Sequence, residues 1–508
     1  MEHVINLKNS GLEEIRKINP RLMSYNVEMT EVTGGTFWKA YTEEQIAGTE
    51  EFPKLEGGFQ NHTAMAGLMQ YYLPIDTTNE KLIYLTRELG SAWIRVSGTW
   101  ATKTYYDFDG TTDGKAPEGY QSVLTRDQWE DIISFVKAVD GKLLVSASNC
   151  AGDHKDGGPL DLTQIKKLFA LTDELGGKID AFEFMNEPNM LQISGAPMGY
   201  TFADYVRDQD IANRWVKENY PDCLIVGPCN TGLTDEQNPN SPASKMGSGI
   251  GNMMTLGTVH DLMRGAEVPM DVYSYHYYNG ISERLAGMMP NAHWPAEMAH
   301  SDMYLAVAPG MCKDNAKARD KYVPGGEMWV TESGDAGGGG NTWASTYLDV
   351  LRTLNELGSF CTITNGVIFH NTLASSDYGF LEHGTFNPRP NYFAVLLWQR
   401  LMGNTCYKVT EDISDGAIVY AHSRKDGGDG YCYLIINNSL EDEITVSIPQ
   451  SALLYPLSGK DGMRSKTMCL DTRPLAIDPD GTLPILDGRK VSEGRYYLAP
   501  GSCAFVVI

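Results

Sequence analysis

The sequence predicts an α/β protein: a (β/α)8 TIM barrel over residues 19–405 followed by an antiparallel β-sandwich over residues 406–508. Three observations predict it. Eight short apolar runs alternate with stretches of helical periodicity, the pattern of repeated β/α units. Each run is trailed by a helix or a long loop, which suits a closed barrel better than an open sheet. After Cys406 the helical periodicity stops, and short β-type runs broken by turns take over.

The eight runs are Leu22–Met29, Ala92–Ser97, Leu143–Ser148, Ala181–Asn186, Leu224–Pro228, Val272–Tyr277, Met328–Thr331 and Val367–Phe369. Between them, Trp129, Ile132, Ile133, Val136 and Val139 keep helical spacing, as do Phe202, Tyr205, Val206, Ala212, Trp215 and Val216. Asn341 to Leu357 form another such stretch, with Gly358 expected as the C′ residue that stops it. An open doubly wound sheet is the alternative arrangement of the same elements. In the C-terminal part the candidate strands are Ala417–His422, Tyr431–Asn437, Glu443–Ile448, Arg495–Leu498 and Cys503–Ile508. Turns such as Lys425-Asp-Gly-Gly-Asp-Gly430 separate them. Residues 1–18 precede the barrel, and His3–Leu7 within them is a candidate extra strand of the sandwich.

Composition removes several function classes. The formal charge is −24, from 41 Lys+Arg against 65 Asp+Glu, and such a field repels nucleic acid and anionic membranes. Neither is expected as a partner. No stretch of about 18 apolar residues offers a membrane span, and the N-terminus carries no basic segment followed by an apolar one. The nine cysteines are odd in number and form no CxxC pair, which argues for reduced thiols and a cytoplasmic location. An oligomer is possible, but nothing in the sequence indicates one.

Barrel enzymes carry their chemistry at the C-terminal ends of the strands, and two of the predicted strands end in glutamate. One reads Ala181-Phe-Glu-Phe-Met-Asn-Glu-Pro-Asn189, where Pro188 biases Glu187 toward an extended backbone that would continue the strand. The other reads Glu327-Met-Trp-Val-Thr-Glu-Ser-Gly334, placing Glu332 where an apolar strand meets a glycine-rich loop. By order these are strands four and seven. A lone strand-end glutamate is more often a cap or a loop salt bridge. Two of them across one barrel mouth match acetal cleavage, which needs one carboxyl to protonate the leaving oxygen and another to attack or to activate water.

With these residues in view, the sequence resembles the heparanase and β-glucuronidase family of glycoside hydrolases, family 79. Tyr275-His-Tyr-Tyr-Asn-Gly280 resembles that family's strand-six segment, and Glu332-Ser-Gly-Asp-Ala-Gly-Gly-Gly-Gly340 resembles its nucleophile with the triple-glycine loop. Tyr378-Gly-Phe-Leu-Glu382 with Phe386-Asn-Pro-Arg-Pro-Asn-Tyr392 resembles the stretch after strand eight. Ser465-Lys-Thr-Met468, Gly481-Thr-Leu-Pro-Ile-Leu486 and Ala499-Pro-Gly-Ser-Cys-Ala-Phe-Val-Val-Ile508 resemble its C-terminal sandwich. The resemblance implies Glu187 as acid/base and Glu332 as nucleophile. It implies Asn186, Glu28 and Thr99 as substrate-binding residues, and Gly338, Gly339 and Tyr378 as the clamp on a glucuronate carboxylate. The physical reading agrees with the clamp, since successive glycine N–H groups can form an anion nest and a phenol adds a donor. His276 and Tyr277 are expected in the pocket. The chain departs from the family at Gly337, which stands in place of a tyrosine and leaves fewer side chains for the carboxylate.

The implied activity is a retaining, exo-acting β-glucuronidase on small glucuronides or short oligosaccharides, without cofactor or metal. The acidic chain disfavours a long sulfated polyanion. The insertions at about 232–256 and 281–325 are candidate walls of an exo-type pocket. Two alternatives are the same chemistry on a neutral sugar (a xyloside, arabinoside or glucoside) and a catalytically silent carbohydrate-binding protein. Gly247-Ser-Gly-Ile-Gly251 lacks the spacing of a nucleotide loop, and His370, Asp377 and His383 match no familiar metal set. Trp38, Trp100, Trp294 and Trp343 are core residues by default, though any near the mouth could stack on a sugar ring.

Overall fold

A computed structural model describes residues 4–50, 66–235, 256–409 and 417–508. Eight parallel strands close into one barrel: β1 Met23–Glu28, β2 Trp93–Ser97, β3 Lys142–Ser146, β4 Ala181–Glu183, β5 Leu224–Asn230, β6 Val272–Tyr278, β7 Glu327–Gly334 and β8 Gly366–His370. All eight apolar runs are therefore strands of a single sheet, joined in chain order, with β8 closing on β1. The principal helices of the crossovers are α1 Glu80–Glu88, α2 Arg126–Ala138, α3 Thr163–Glu174, α4 Phe202–Asn219, α5 Val259–Met263, α6 Val307–Tyr322, α7 Leu348–Ile363 and α8 Pro390–Leu401. Local chemistry sets their starts. Thr125 and Thr201 each accept the N–H three residues on, and Pro390 opens α8 where no N–H is needed.

Strand alternation stacks the barrel interior in layers. The lowest is apolar and draws on Trp93, Leu144, Ala181, Val226, Val272, Trp329, Val367 and Phe369. Two residues further along several strands, the inward positions turn polar: Arg95 above Trp93, Ser146 above Leu144, Glu183 above Ala181, Ser274 above Val272. The interior is thus a greasy plug beneath a buried polar floor. Two bulges break the alternation above it, one in β5 at Cys229 and one in β7 at Thr331 to Glu332.

The chain from Met402 onward builds a β-sandwich. Among the described residues one sheet has nine strands, including Met402–Tyr407, Ala417–Arg424, Tyr431–Asn437, Ala452–Gly459 and Cys503–Val507. The other has three, Val4–Asn6, Ile444–Ile448 and Gly494–Leu498. The N-terminal run does join the sandwich, but Val4–Asn6 lies parallel to its neighbour, against the all-antiparallel expectation. A second N-terminal strand, Glu14–Lys17, pairs with Met402–Tyr407 and has no counterpart among the predicted runs.

One helix end is corrected. Gly358 does not terminate α7, which begins at Leu348 and runs to Ile363. A Cβ at Gly358 would lie 2.1 Å from the Tyr420 ring, so this glycine is where helix and sandwich touch rather than a cap. No described helix is long and apolar enough to cross a membrane. The Gly247–Gly251 motif, and most of the 232–256 insertion, lie outside the described residues.

Candidate active site

The polar floor is organised by Arg95, a fully buried cation on β2. It donates to Glu183 Oε1 and to Asn186 Oδ1 from Nη2, both at 2.7 Å, and to Glu332 Oε1 from Nη1 at 3.1 Å. Burial alone would raise the Glu183 carboxyl. Arg95 and the Ser146 hydroxyl outweigh that and hold it below the usual carboxylate range. Glu183 therefore stays charged, Arg95 stays charged, and the side chains above have a fixed base.

Glu187 and Glu332 meet above this floor. His276 on β6 lies between them, its Nδ1 2.9 Å from Glu187 Oε1 and 3.4 Å from Glu332 Oε2. One oxygen of each carboxylate and Nδ1 lie within 4.8 Å of one another. Tyr278 donates its hydroxyl to Glu332 Oε2 at 2.7 Å. Behind the imidazole, Nε2 lies 3.0 Å from the Cys229 sulfur. Burial works against a charged imidazole here. The Cys229 sulfur and the Glu332 and Glu187 carboxylates more than compensate, and the His276 pKa is pushed well above its ordinary value. Such a trio of ligand atoms has the chemistry to hold a divalent cation.

Backbone irregularity aims these groups. Glu187 is not extended, as its proline neighbour suggested: β4 ends at Glu183, and Glu187 adopts φ 46° and ψ 51°. Its N–H donates to the Cys229 carbonyl at 3.1 Å, and it opens a 3-10 turn at Pro188–Met190. Cys229 is itself left-handed, at φ 59°. Two non-glycine residues held this way beside one another store strain that only the surrounding contacts can maintain. On β7 the bulge lets consecutive residues face inward: Thr331 reaches the Cys229 sulfur at 3.8 Å and Glu332 reaches Arg95 and His276. Ser333 then points outward, donating to the Glu356 carboxylate at 2.6 Å.

Other predicted residues fall into three groups. Asn186 is buried, with its carbonyl engaged by Arg95. Glu28 ends β1 against Gly98, whose Cβ would stand 1.7 Å from Glu28 Oε2; only glycine lets the carboxyl sit there. Burial, then repulsion from Glu332, raise the Glu28 carboxyl well above its usual range, so it enters the site as a neutral acid. Thr99 follows Gly98, half-buried beyond the end of β2.

Tyr378 stacks on Tyr278 with ring centroids 6.5 Å apart, and Asn371 donates to both phenol oxygens, at 3.1 and 2.9 Å. Gly338, Gly339 and Gly340 all have positive φ, near +90, +88 and +83°. The loop packs against Trp38, whose Cβ is 2.7 Å from where a Gly339 Cβ would be. Of the other tryptophans, Trp343 is fully buried, and Trp294 donates to the Asn279 carbonyl at 2.9 Å.

Tyr277 is a correction. Strand alternation carries it to the outer face of β6, where its hydroxyl bonds Asn279 and the ring lies near Arg352 and Glu356 of α7. Its neighbour Tyr278 has the inward place.

Sequence reasoning also passed over Arg95, Glu183, Cys229, Asn371 and Arg284. For the first two a signal existed: a charge inside a strand apolar on both sides must be partnered when buried. Cys229, Asn371 and Arg284 had none. His370, Asp377 and His383 go to separate partners, the Tyr378 carbonyl, Arg284 and the Tyr72 ring.

No family model matches the chain. It is 27% identical over 433 residues to heparanase-like protein 1 of Arabidopsis thaliana, spanning 75% of this chain and 73% of that one. It is 29% identical over 250 residues to baicalin-β-D-glucuronidase of Scutellaria baicalensis, spanning 47% of this chain and 45% of the relative. Among solved structures, a 4-O-α-L-rhamnosyl-β-D-glucuronidase of Fusarium oxysporum shares the fold with a TM-score of 0.67 at 12% identity, over 99% of this chain and 100% of that one.

Proposed function

From its place in the heparanase and β-glucuronidase family of glycoside hydrolases, we propose that this enzyme is a retaining, exo-acting β-glucuronidase that removes terminal β-D-glucuronic acid from small glucuronides or short oligosaccharides. The observation that carries the reading is the convergence of Glu187 and Glu332, with oxygens within 4.8 Å, on one imidazole in the barrel mouth. Retaining glycosidases hold their two carboxyls about 5–5.5 Å apart, inverting ones several ångströms further.

In the first step Glu332 attacks the anomeric carbon as the glycosidic bond breaks, and Glu187 gives its proton to the departing oxygen. In the second, Glu187 takes a proton from water as that water displaces Glu332 and releases the sugar. His276 supports the proton inventory. One proton shared across the 2.9 Å between Nδ1 and Glu187 Oε1 supplies the acid before each turnover and is restored after it. Arg95 and Tyr278 hold Glu332 aimed, each donating to one of its oxygens.

The uronic-acid assignment draws on the Gly338–Gly339 loop with Tyr378 beside it, and on relatives whose names include a β-glucuronidase and a hyaluronoglucuronidase. A cytoplasmic location is part of the same proposal, supported by nine free, buried cysteines; fractionation with a tagged full chain tests it. For the reaction, the test is a panel of aryl β-glycosides. The glucuronide is expected to be turned over in preference to the glucoside, xyloside and arabinoside, with the β-anomer released first. A preference for a neutral sugar removes the substrate assignment, and first release of the α-anomer removes retention. Glu332→Gln is expected to lose turnover on every substrate while keeping the wild-type melting temperature within a few degrees.

A further inference from the structure

We propose that Ser282 to Arg284, in the long connection after β6, is the positioning device that aims the Gly338 and Gly339 N–H groups at the substrate carboxylate. The inference rests on the uronic-acid reading above and names what makes that clamp work. Four consecutive glycines, Gly337 to Gly340, have almost no backbone preference of their own, since either sign of φ is open to each. An anion nest requires one particular set of peptide orientations. Something outside the loop must impose it.

The carbonyls show what does. In a trans peptide unit the C=O and the following N–H point in opposite directions. The Gly337 carbonyl accepts the Ser282 N–H at 2.9 Å, which turns the Gly338 N–H away from the segment. The Gly338 carbonyl accepts Ser282 Oγ at 3.0 Å and Arg284 Nη1 at 3.2 Å, which turns the Gly339 N–H away likewise. Two successive N–H groups are thus forced to the face opposite one anchor. Neither donates to any described residue. The far side of the loop is tied down as well: the Gly340 carbonyl accepts Arg284 Nη1 at 2.8 Å and the Tyr41 hydroxyl at 2.9 Å.

Arg284 is 1% exposed, so it is no ligand contact. Its remaining donors reach the Lys39 carbonyl at 2.7 Å and Asp377 Oδ2 at 2.5 Å, and its guanidinium carbon lies 3.6 Å from the centre of the Tyr41 ring. Asp377 immediately precedes Tyr378. One guanidinium therefore sets both the glycine loop and the strand of chain that presents the phenol. Such a fork cannot be reproduced by a lysine, which offers a single point of charge.

The experiment compares wild type, Ser282→Ala, Ser282→Thr and Arg284→Lys on an aryl β-glucuronide and the matching β-glucoside, with kcat and KM separated. Ser282→Ala leaves the Arg284–Asp377 pair intact, so the test stands even where Arg284→Lys does not fold. Loss of the Ser282 hydroxyl is expected to raise the glucuronide KM about tenfold with kcat held within about threefold, lowering the glucuronide-over-glucoside preference about tenfold. Ser282→Thr restores most of it, and Arg284→Lys loses more than Ser282→Ala. Folded variants that keep the wild-type preference overturn the inference, as do variants that lose kcat equally on both sugars. If the wild type itself shows no preference for the glucuronide, the uronic-acid reading falls first and this inference with it.

Discussion

His276 sits between two carboxylates with a sulfur at its back, and its raised pKa gives the site a pH dependence of definite sign. The imidazole gains its proton in the folded state, and that proton persists above the ordinary histidine range. As pH rises through the raised value it is lost, Glu187 is left without a donor, and kcat/KM falls on the alkaline side. In His276→Gln the imidazole that retains this proton is gone, so the alkaline limb is expected to move to lower pH, and kcat/KM at neutral pH to fall roughly a hundredfold. A pH–rate profile of that variant checks both; an unmoved alkaline limb removes His276 from the proton inventory. Tyr278→Phe keeps the ring on Tyr378 and deletes the hydroxyl that donates to Glu332 and accepts from Asn371. A loss of about tenfold or more in kcat, with the fold unchanged, is expected, since that hydrogen bond is made to a charged oxygen.

At the scale of elements, the site depends on where regular structure fails. The β7 bulge turns Glu332 inward beside His276; without it, alternation from Trp329 would send Glu332 outward and Ser333 into the pocket. The break between β4 and Glu187 does the same for the other carboxylate. A different element carries the joint between the barrel and the sandwich. In α7, Gly358 touches the Tyr420 ring, and Tyr420 donates to Asn355 Oδ1 at 2.7 Å one turn away. Alanine is the better helix former by about 1 kcal/mol, but its methyl would enter the ring, and overpacking of this kind costs about 1–3 kcal/mol. Gly358→Ala is therefore expected to lower the melting temperature rather than raise it, with activity per folded molecule retained. A stabilised variant would show that the joint yields freely.

The whole molecule contains buried acids whose folded forms prefer the proton. Burial pushes Glu31 and Asp335 up to about 8 and Glu356 up to about 7. Each binds its proton more tightly folded than unfolded, so each contributes most below its unfolded pKa and progressively less as pH rises toward the folded value. Together with a formal charge of −24, this predicts a melting temperature that declines between about pH 5 and pH 8. Glu31 can be isolated, because a glutamine at that position still accepts the Glu28 N–H, now at 2.7 Å. Glu31→Gln should flatten the decline by roughly 1.4 kcal/mol per pH unit within its window. Equal slopes in wild type and variant would mean that Glu31 ionises normally.

Much of this was legible before any coordinates. A strand buried on both faces must be an apolar run, and eight of them separated by amphipathic stretches suit a closed barrel better than the open doubly wound sheet that the same elements could form. The two strand-end glutamates were visible as a pair across one barrel mouth, since acetal cleavage needs two carboxyls, while the role of the glycine loop came with the family resemblance. What the tertiary structure decided was direction. Tyr277 and Tyr278 are adjacent and chemically alike, and only the parity of β6 sends one outward to α7 and the other to Glu332. Glu187 looked extended to its proline neighbour and became left-handed through a hydrogen bond to Cys229, a residue with no signal of its own. Arg95 and Arg284 acquired their roles from partners scattered over the chain. Periodicity and composition are local and determine which elements form; the facing of a side chain depends on bulges and buried ion pairs between segments far apart, and these exist only once the barrel has closed.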